Sequence, residues 1–127
     1  MKRNMNLIRK LAFHIEDAPD QLESLQITID SFSRAEIGYH CALMKEAGLT
    51  LTEDISHTDS RFPDMLIYRL TWAGHDFLAA ARDDTIWNKV TKQIKDKATS
   101  MAFDGLLSLL KSAGQSMVGP VSEWVSQ

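Results

Sequence analysis

The chain has 127 residues, 44% hydrophobic and 24% charged, which is enough apolar material for one domain with a buried core. A net charge of −3 gives no bulk attraction to nucleic acid, so DNA contact would require a local basic patch. The single cysteine, Cys41, excludes an intrachain disulfide, and no apolar run approaches the roughly 20 residues of a membrane span. We therefore expect a reduced, cytoplasmic protein without a membrane segment.

The chain is predicted to begin with an amphipathic helix followed by a strand. Asn4 or Asn6 is a suitable N-cap, and the helix is expected to run to about Asp17, because Pro19 prevents its continuation. In the stretch LQITID, residues 25–30, apolar and polar side chains alternate. This alternation predicts a half-buried strand.

A second helix is predicted over residues 34–47. Ser33 and Glu36 have the spacing of a capping box at its start, and Gly48 is suited to the left-handed position after its end. The apolar spacing predicts that one side of this helix faces the core, with the inward residues Ile37, His40, Cys41 and Met44.

A β-hairpin with a polar tip is expected next. Residues 49–55 and 65–70 have the composition of two strands, and HTDSRFPD between them, residues 57–64, is typical of a turn. The hairpin carries more acidic than basic side chains: Glu53, Asp54, Asp59 and Asp64 against Arg61.

Two further helices follow the hairpin. Thr71 is the expected cap of the first, which runs to about Arg82, where Asp83 and Asp84 interrupt it. Thr85 is the expected cap of the second. Its apolar stripe is predicted to comprise Ile86, Trp87, Val90 and Ile94.

The C-terminal part is predicted to form an extension, residues 99–127, on a core of residues 1–98. Its apolar segment contains Met101, Phe103, Leu106, Leu107, Leu109 and Leu110, and we expect Gly114, Gly119 and Pro120 to loosen the tail. The segment either covers this chain's own core or forms a protein interface. The residues of that interface would be Phe103, Leu107, Leu110, Met117, Val121 and Trp124.

The expected fold is a mainly helical α+β, winged-helix-like domain, ordered helix, strand, helix, hairpin, with a C-terminal helical extension. The segments MKRNMNLIRKLAFHIED, YHCALMKEAGL, LTWAGHDFLAAARDDTIWNKV and SMAFDGLLSLLK resemble, in order, the bacterial and phage family named domain of unknown function 2513. That resemblance spans roughly residues 1–111 and implies a winged-helix-like fold. It implies no activity and transfers no catalytic residue.

Three sets of residues have types that occur in active sites. His75 and Asp76 could supply adjacent metal ligands, although the remaining histidines lack metal-site spacing, and a helix start explains the pair more simply. Asp83 and Asp84 are adjacent and do not face each other on a helix. Cys41 is more typical of a small core residue than of a nucleophile. We therefore expect no enzymatic activity, metal, cofactor or small-molecule substrate.

Two kinds of partner remain. As a transcriptional regulator, the protein would bind double-stranded DNA through its second helix, whose expected outward residues are Ser33, Arg34, Ala35, Gly38, Tyr39 and Ala42. Positive charge for phosphate contacts would come from both ends of the chain. The predicted nucleic-acid-binding residues are Lys2, Arg3, Arg34, Tyr39, Lys89, Lys92 and Lys95. The alternative is a homodimer or another protein partner. In that case the basic clusters are ordinary solvated helix faces.

Overall fold

A computed structural model of the chain describes residues 1–96 and 102–118. Five helices accompany one small antiparallel sheet in the described residues, which confirms the predicted α+β class. The elements are α1 (Met5–Asp17), β1 (Leu22–Glu23), a 3₁₀ turn (Ser24–Gln26), α2 (Arg34–Glu46), β2 (Thr50–Asp54), β3 (Met65–Leu70), α3 (Trp72–Ala81), α4 (Asp84–Asp96) and α5 (Phe103–Val118).

The chain divides into two compact units, an N-terminal unit Met1–Leu78 and a C-terminal unit Ala79–Gln127. All three strands and the helices α1 and α2 belong to the N-terminal unit, while α4 and α5 belong to the C-terminal unit. The predicted division into a core, residues 1–98, and an extension, residues 99–127, stays a prediction.

The first helix is confirmed with its predicted cap. The side chain of Asn4 accepts hydrogen bonds from the backbone N–H groups of Asn6 (2.9 Å) and Leu7 (3.2 Å), which would otherwise lack partners at the helix start. The helix ends where Ala18, just before Pro19, adopts an extended conformation. Its buried side consists of Leu7, Ile8, Leu11, Ala12 and Ile15.

The predicted strand over residues 25–30 is wrong. The strand β1 lies earlier, at Leu22–Glu23, and a 3₁₀ turn follows it, closed by reciprocal hydrogen bonds between Glu23 and Gln26. Ile27 and Ile29 are nevertheless buried. The alternation therefore reflects the burial of Ile27 and Ile29, in a segment that is not part of the sheet.

The second helix has the predicted capping box and the predicted buried side. The Glu36 N–H donates to the Ser33 hydroxyl at 3.1 Å, and the Ser33 N–H donates to the Glu36 carboxylate at 3.0 Å. Gly48 has a φ of 75°, which glycine adopts without steric cost. The four residues predicted to face inward, Ile37, His40, Cys41 and Met44, are all buried.

The sheet has the strand order β1-β3-β2, with both pairs antiparallel. Between β2 and β3 the register changes, because Leu51 pairs with Arg69 whereas Thr52 pairs with Ile67. Tyr68 is thus one extra residue in β3, a β-bulge. Two consecutive side chains, Tyr68 and Arg69, are exposed there instead of alternating between the two faces.

The third helix approaches the chain before β2 very closely. The Thr71 N–H donates to the Leu49 carbonyl at 2.9 Å, and the Thr71 hydroxyl caps the helix by accepting from the Gly74 N–H at 3.1 Å. A Cβ on Gly74 would overlap the Leu49 carbonyl oxygen. A glycine at position 74 therefore lets α3 approach the Leu49 backbone this closely.

In the C-terminal unit, α4 packs against α5. The predicted cap Thr85 is wrong. Asp83 caps α4 instead, since its carboxylate accepts from the Ile86 N–H at 3.0 Å. Gly114 lies inside α5, and a Cβ added to it would lie 3.9 Å from Ile86. The prediction that Gly114 loosens the C-terminal tail is therefore also wrong. The buried apolar residues of the two helices are Ile86, Trp87, Val90, Leu106 and Leu110.

Candidate functional site

Helices α1 and α2 lie side by side and run in opposite directions. At one end, the backbone N–H of Asn4 donates to Nε2 of His40 at 2.8 Å. At the other end, the Lys10 ammonium lies 5.6 Å from the centre of the Phe32 ring, just before α2 begins. The segment that carries Lys2, Arg3 and Lys10 is therefore held against residues 32–40, which include Arg34.

His40 fixes the beginning of α1. Its ring is 1% exposed, and its Nδ1 lies 2.7 Å from the Glu36 carbonyl oxygen, which can only accept. Nδ1 must therefore carry the proton, and Nε2 accepts from the Asn4 N–H. A buried imidazole with a hydrogen bond at each ring nitrogen thus fixes the position of the chain directly after Lys2 and Arg3.

Four of the residues predicted to bind nucleic acid lie on these two helices or just before them. Lys2, Arg3 and Arg34 are exposed, and Tyr39 is half-buried with its ring edge toward His40. Lys10 is also exposed beside the start of α2. We call this surface the basic face; it consists of Lys2, Arg3, Lys10, Arg34 and Tyr39.

The other predicted basic residues belong to the C-terminal unit. Lys89 and Lys92 are exposed on α4. The side chain of Lys95, on the same helix, lies outside the described residues.

One expected outward position of α2 is wrong. Gly38 is buried, and a Cβ added there would overlap the carbonyl oxygen of Pro63 and lie 3.4 Å from the Phe62 ring. The returning arm of the hairpin therefore covers α2 at Gly38. The exposed residues of α2 lie at its two ends: Arg34 at the start, and Lys45 and Glu46 at the end.

The outer face of the sheet consists of two rows of different chemistry. In the row nearer the hairpin tip, Glu23 and Glu53 both lie opposite Leu66. In the row nearer α3, Leu51 lies opposite Arg69, with the bulge residue Tyr68 beside it. The first row is acidic and the second mainly apolar.

A hydrogen bond links the two rows. The Tyr68 hydroxyl donates to the Glu53 carboxylate at 3.3 Å. The negative charge of Glu53 raises the pKa of Tyr68, with smaller contributions from burial and from the hydrogen bond itself. Glu53 is therefore held over the sheet instead of extending freely into solvent.

Large apolar side chains are exposed at the same end of the sheet. Leu51 is 48% exposed, Tyr68 41% and Trp72, which begins α3 two residues after β3, 88%. By contrast, Trp87 is 1% exposed. We call Leu51, Tyr68, Arg69 and Trp72, together with Glu53, the outer sheet surface.

Sequence reasoning did not identify the outer sheet surface as a candidate site. A helical wheel offers one signal, because Trp72 shares a side of α3 with His75 and Asp76, both exposed polar residues. The exposure of Arg69 depends on the bulge, which no local pattern in the strand announces.

The hairpin tip keeps its acidic character. The Asp54 carboxylate accepts from the Ser56 N–H at 2.9 Å, and hydrogen bonding by Ser56 lowers the pKa of Asp54. Asp64 lies 3.3 Å from the Ser24 hydroxyl, which joins the tip to the turn after β1. The hydrogen bonds from Ser56 stabilise the charged form of Asp54, the last residue of β2.

The residues considered for catalysis have different local surroundings. His75 and Asp76 are exposed on α3, and Asp83 caps α4. Cys41 is buried, and its burial raises the pKa of the thiol to about 12. Within residues 1–96 and 102–118, no group of three His, Cys, Asp or Glu side chains could hold a metal ion.

The predicted protein interface is only partly within the described residues. Phe103 and Leu107 are half-buried and Leu110 is 1% exposed, so Leu110 is not available to a partner in this conformation. The side chain of Met117 and the whole of Val121 and Trp124 lie outside the described residues.

No helix in the described part of the chain has the length and apolar character needed to cross a membrane. Residues 2–100 match a family described as "Hypothetical protein (DUF2513)". The chain is also 32% identical over 107 residues to an uncharacterized protein of Haemophilus influenzae, across 84% of this chain and 89% of that protein. No solved structure is significantly similar to this chain. The chain belongs to the DUF2513 family.

Proposed function

We propose that the protein is a small, non-catalytic, winged-helix-like regulatory protein that contacts double-stranded DNA through its basic face. The order of elements supports this reading, since α2 leads directly into a hairpin as a recognition helix leads into a wing. A winged helix has a short helix before its recognition helix. The 3₁₀ turn Ser24–Gln26 occupies the corresponding place in this chain.

The observation that carries the proposal is the antiparallel contact between α1 and α2. The contact places the start of α1, directly after Lys2 and Arg3, at His40, and it places Lys10 beside Phe32, two residues before Arg34, although the whole chain has a net charge of −3. Phosphate contacts by lysine and arginine supply most of the affinity of non-specific DNA binding. A local cluster of this kind is what an acidic protein needs for such binding.

The hairpin does not share this role. Its acidic residues would repel a phosphate backbone, and its returning arm covers α2 at Gly38. We therefore infer that DNA lies against α1 and the N-terminal end of α2. The arginines of the basic face able to make a bidentate contact with guanine are Arg34, at the start of α2, and Arg3, just before α1.

The test compares two matched pairs of exposed lysines by fluorescence anisotropy with a random-sequence duplex. The wild-type protein should bind at low salt and lose affinity steeply as salt rises. Lys2→Ala with Lys10→Ala should weaken binding and reduce the slope of log K against log salt by roughly 2. Lys89→Ala with Lys92→Ala tests the second predicted basic cluster, on α4, and should weaken binding less than the first pair.

Two outcomes would overturn the proposal. One is the absence of binding by the wild-type protein at low salt. The other is an equal loss of affinity in the two double variants, which would mean that DNA does not prefer the basic face. Circular dichroism of each variant checks that folding is unchanged.

A protein-binding function is the second candidate, and the exposure of Trp72, Tyr68 and Leu51 favours it. Exposed tryptophan and tyrosine side chains are characteristic of interface hot spots. Light scattering tests the homodimer form of this candidate: a dimer that dissociates on Trp72→Ala supports it, and a wild-type monomer at all concentrations contradicts it.

A further inference from the structure

We propose a docking site on the hairpin, separate from the basic face, for an extended segment of a partner protein. The segment pairs with the open edge of β2. On the side that faces the outer sheet surface, it carries apolar and basic side chains at alternate positions.

The backbone of β2 supplies the first part of the argument. In the described part of the chain β2 pairs only with β3, and it therefore forms an edge of the sheet. An edge strand presents unpaired N–H and C=O groups, and an extended peptide can satisfy them by adding a strand. Thr50–Asp54 offers five residues for this pairing.

The side chains of β2 define what the segment contains. Leu51 and Glu53 are exposed, are two residues apart and point to the same face of the strand. A neighbouring strand would therefore place one side chain beside Leu51 and another beside Glu53. An apolar residue suits the first position and a lysine or arginine the second.

The surrounding charge favours the same partner. Glu23 shares a row with Glu53 across Leu66, and Asp54 ends β2 with its charged form stabilised by Ser56. Two cations lie nearby: Arg69 opposite Leu51, and Lys45, whose charge acts on Asp54. On the exposed face of β2 itself, however, the charged side chain is Glu53, and the bond from Tyr68 holds it in place over the sheet. A basic side chain in the added strand is complementary to that carboxylate.

Trp72 supplies the apolar anchor of the site. It lies just beyond the end of β3 and is 88% exposed, so its ring does not contribute to this chain's own core. Burying such a ring against a partner removes a large apolar area from water. Trp72, Tyr68 and Arg69 are also the residue types most common at interface hot spots.

Two synthetic nine-residue peptides test the proposal. In the first, valine and lysine alternate on one face of the extended chain and threonine occupies the other; in the second, glutamate replaces each lysine. Binding is followed by NMR titration, and pairing with β2 by amide hydrogen exchange. We expect the lysine peptide to bind and to slow exchange within Thr50–Asp54, and the glutamate peptide to bind at least tenfold more weakly.

Variants locate the bound peptide. Trp72→Ala and Glu53→Gln should each weaken lysine-peptide binding by roughly tenfold. Lys92→Ala, at an exposed position on α4, is the matched control and should leave it unchanged. DNA binding by Trp72→Ala should equal that of the wild-type protein, so failure here is distinguishable from failure of the DNA proposal.

Several outcomes would overturn the docking site. They are no binding of the lysine peptide up to about 1 mM, equal binding of the two peptides, and binding without slower exchange in β2. A concentration-dependent dimer that protects the same amides without peptide would also overturn it, because a second copy would then occupy the edge.

Discussion

The basic face and the outer sheet surface belong to the same 78-residue unit but are built in opposite ways. The basic face lies on two antiparallel helices with satisfied caps, and its charges are positive. The outer sheet surface lies on a bulged hairpin, combines exposed apolar rings with carboxylates, and ends in an open strand edge. Net charge averages over these regions and describes neither.

The contrast teaches that two surfaces of one unit can differ in predominant charge, with Lys2, Arg3, Lys10 and Arg34 on one and Glu53 on the other. The two proposals accordingly assign an anionic partner to the basic face and a basic one to the edge of β2. Substitutions at buried contacts beneath these surfaces measure how much each contact stabilises the unit, and the first is the contact between the hairpin and α2.

The largest effect is expected at Gly38, where the hairpin arm lies on α2. Gly38→Ala should lower the free energy of unfolding by about 3 kcal/mol, because its Cβ would overlap the Pro63 carbonyl and force the backbone to move. Urea denaturation measures the change. Gly114→Ala is the control: inside α5, with no atom closer than 3.9 Å, it should raise stability by about 0.5–1 kcal/mol. Similar effects at both glycines would contradict the close contact.

A smaller loss is expected at His40, which holds the beginning of the basic face. His40→Phe keeps a buried ring but removes both side-chain hydrogen bonds, and should cost about 2 kcal/mol because the Asn4 N–H loses its partner and the Glu36 carbonyl keeps only its bond within α2. Thermal or urea unfolding gives the magnitude. Amide exchange at Asn4 should accelerate more than exchange in β2. A uniform acceleration would mean that His40 stabilises the whole unit and not the helix start.

The smallest effect concerns Cys41, on the buried side of α2. Burial raises the pKa of its thiol from 9.0 to about 12, so the thiolate forms first in the unfolded chain as pH rises. The associated stability is complete below about pH 9 and is lost as pH rises toward 12. Relative to Cys41→Ala, the wild-type protein should lose roughly 1 kcal/mol between pH 8 and 10. Identical pH profiles would contradict the burial of the thiol.

Local signals predicted much of the fold correctly. The Asn4 cap, the Ser33–Glu36 box and the Thr71 cap each depend on residues within a few positions, so their spacing was sufficient. The misplaced cap at α4 was an error of two residues, between Thr85 and Asp83, both competent caps. The failure at residues 25–30 has a different cause, since alternation reports burial but not strand pairing.

The candidate surfaces required contacts that the sequence does not reveal. The basic residues were visible, but the contact of the N-terminal segment with α2 depends on the bond between Asn4 and His40, 36 residues apart. Gly38 was expected to face outward because nothing near it in sequence indicates the approach of Pro63. Trp72 begins α3 two residues after β3 ends, and its exposure was likewise not predicted.

The bulge at Tyr68 has a consequence for how the hairpin finds its pairing. Two regular strands can slide past each other by two residues without exchanging their faces, and hairpins with such freedom are prone to mispairing and aggregation. In this hairpin only one alignment places the extra residue opposite the Leu51–Thr52 link. Without the bulge at this position, regular alternation along β3 would place either Leu70 or the pair Met65 and Ile67 on the exposed face. The bulge that exposes Tyr68 and Arg69 thus also favours a single register between β2 and β3, although β2 is an edge strand.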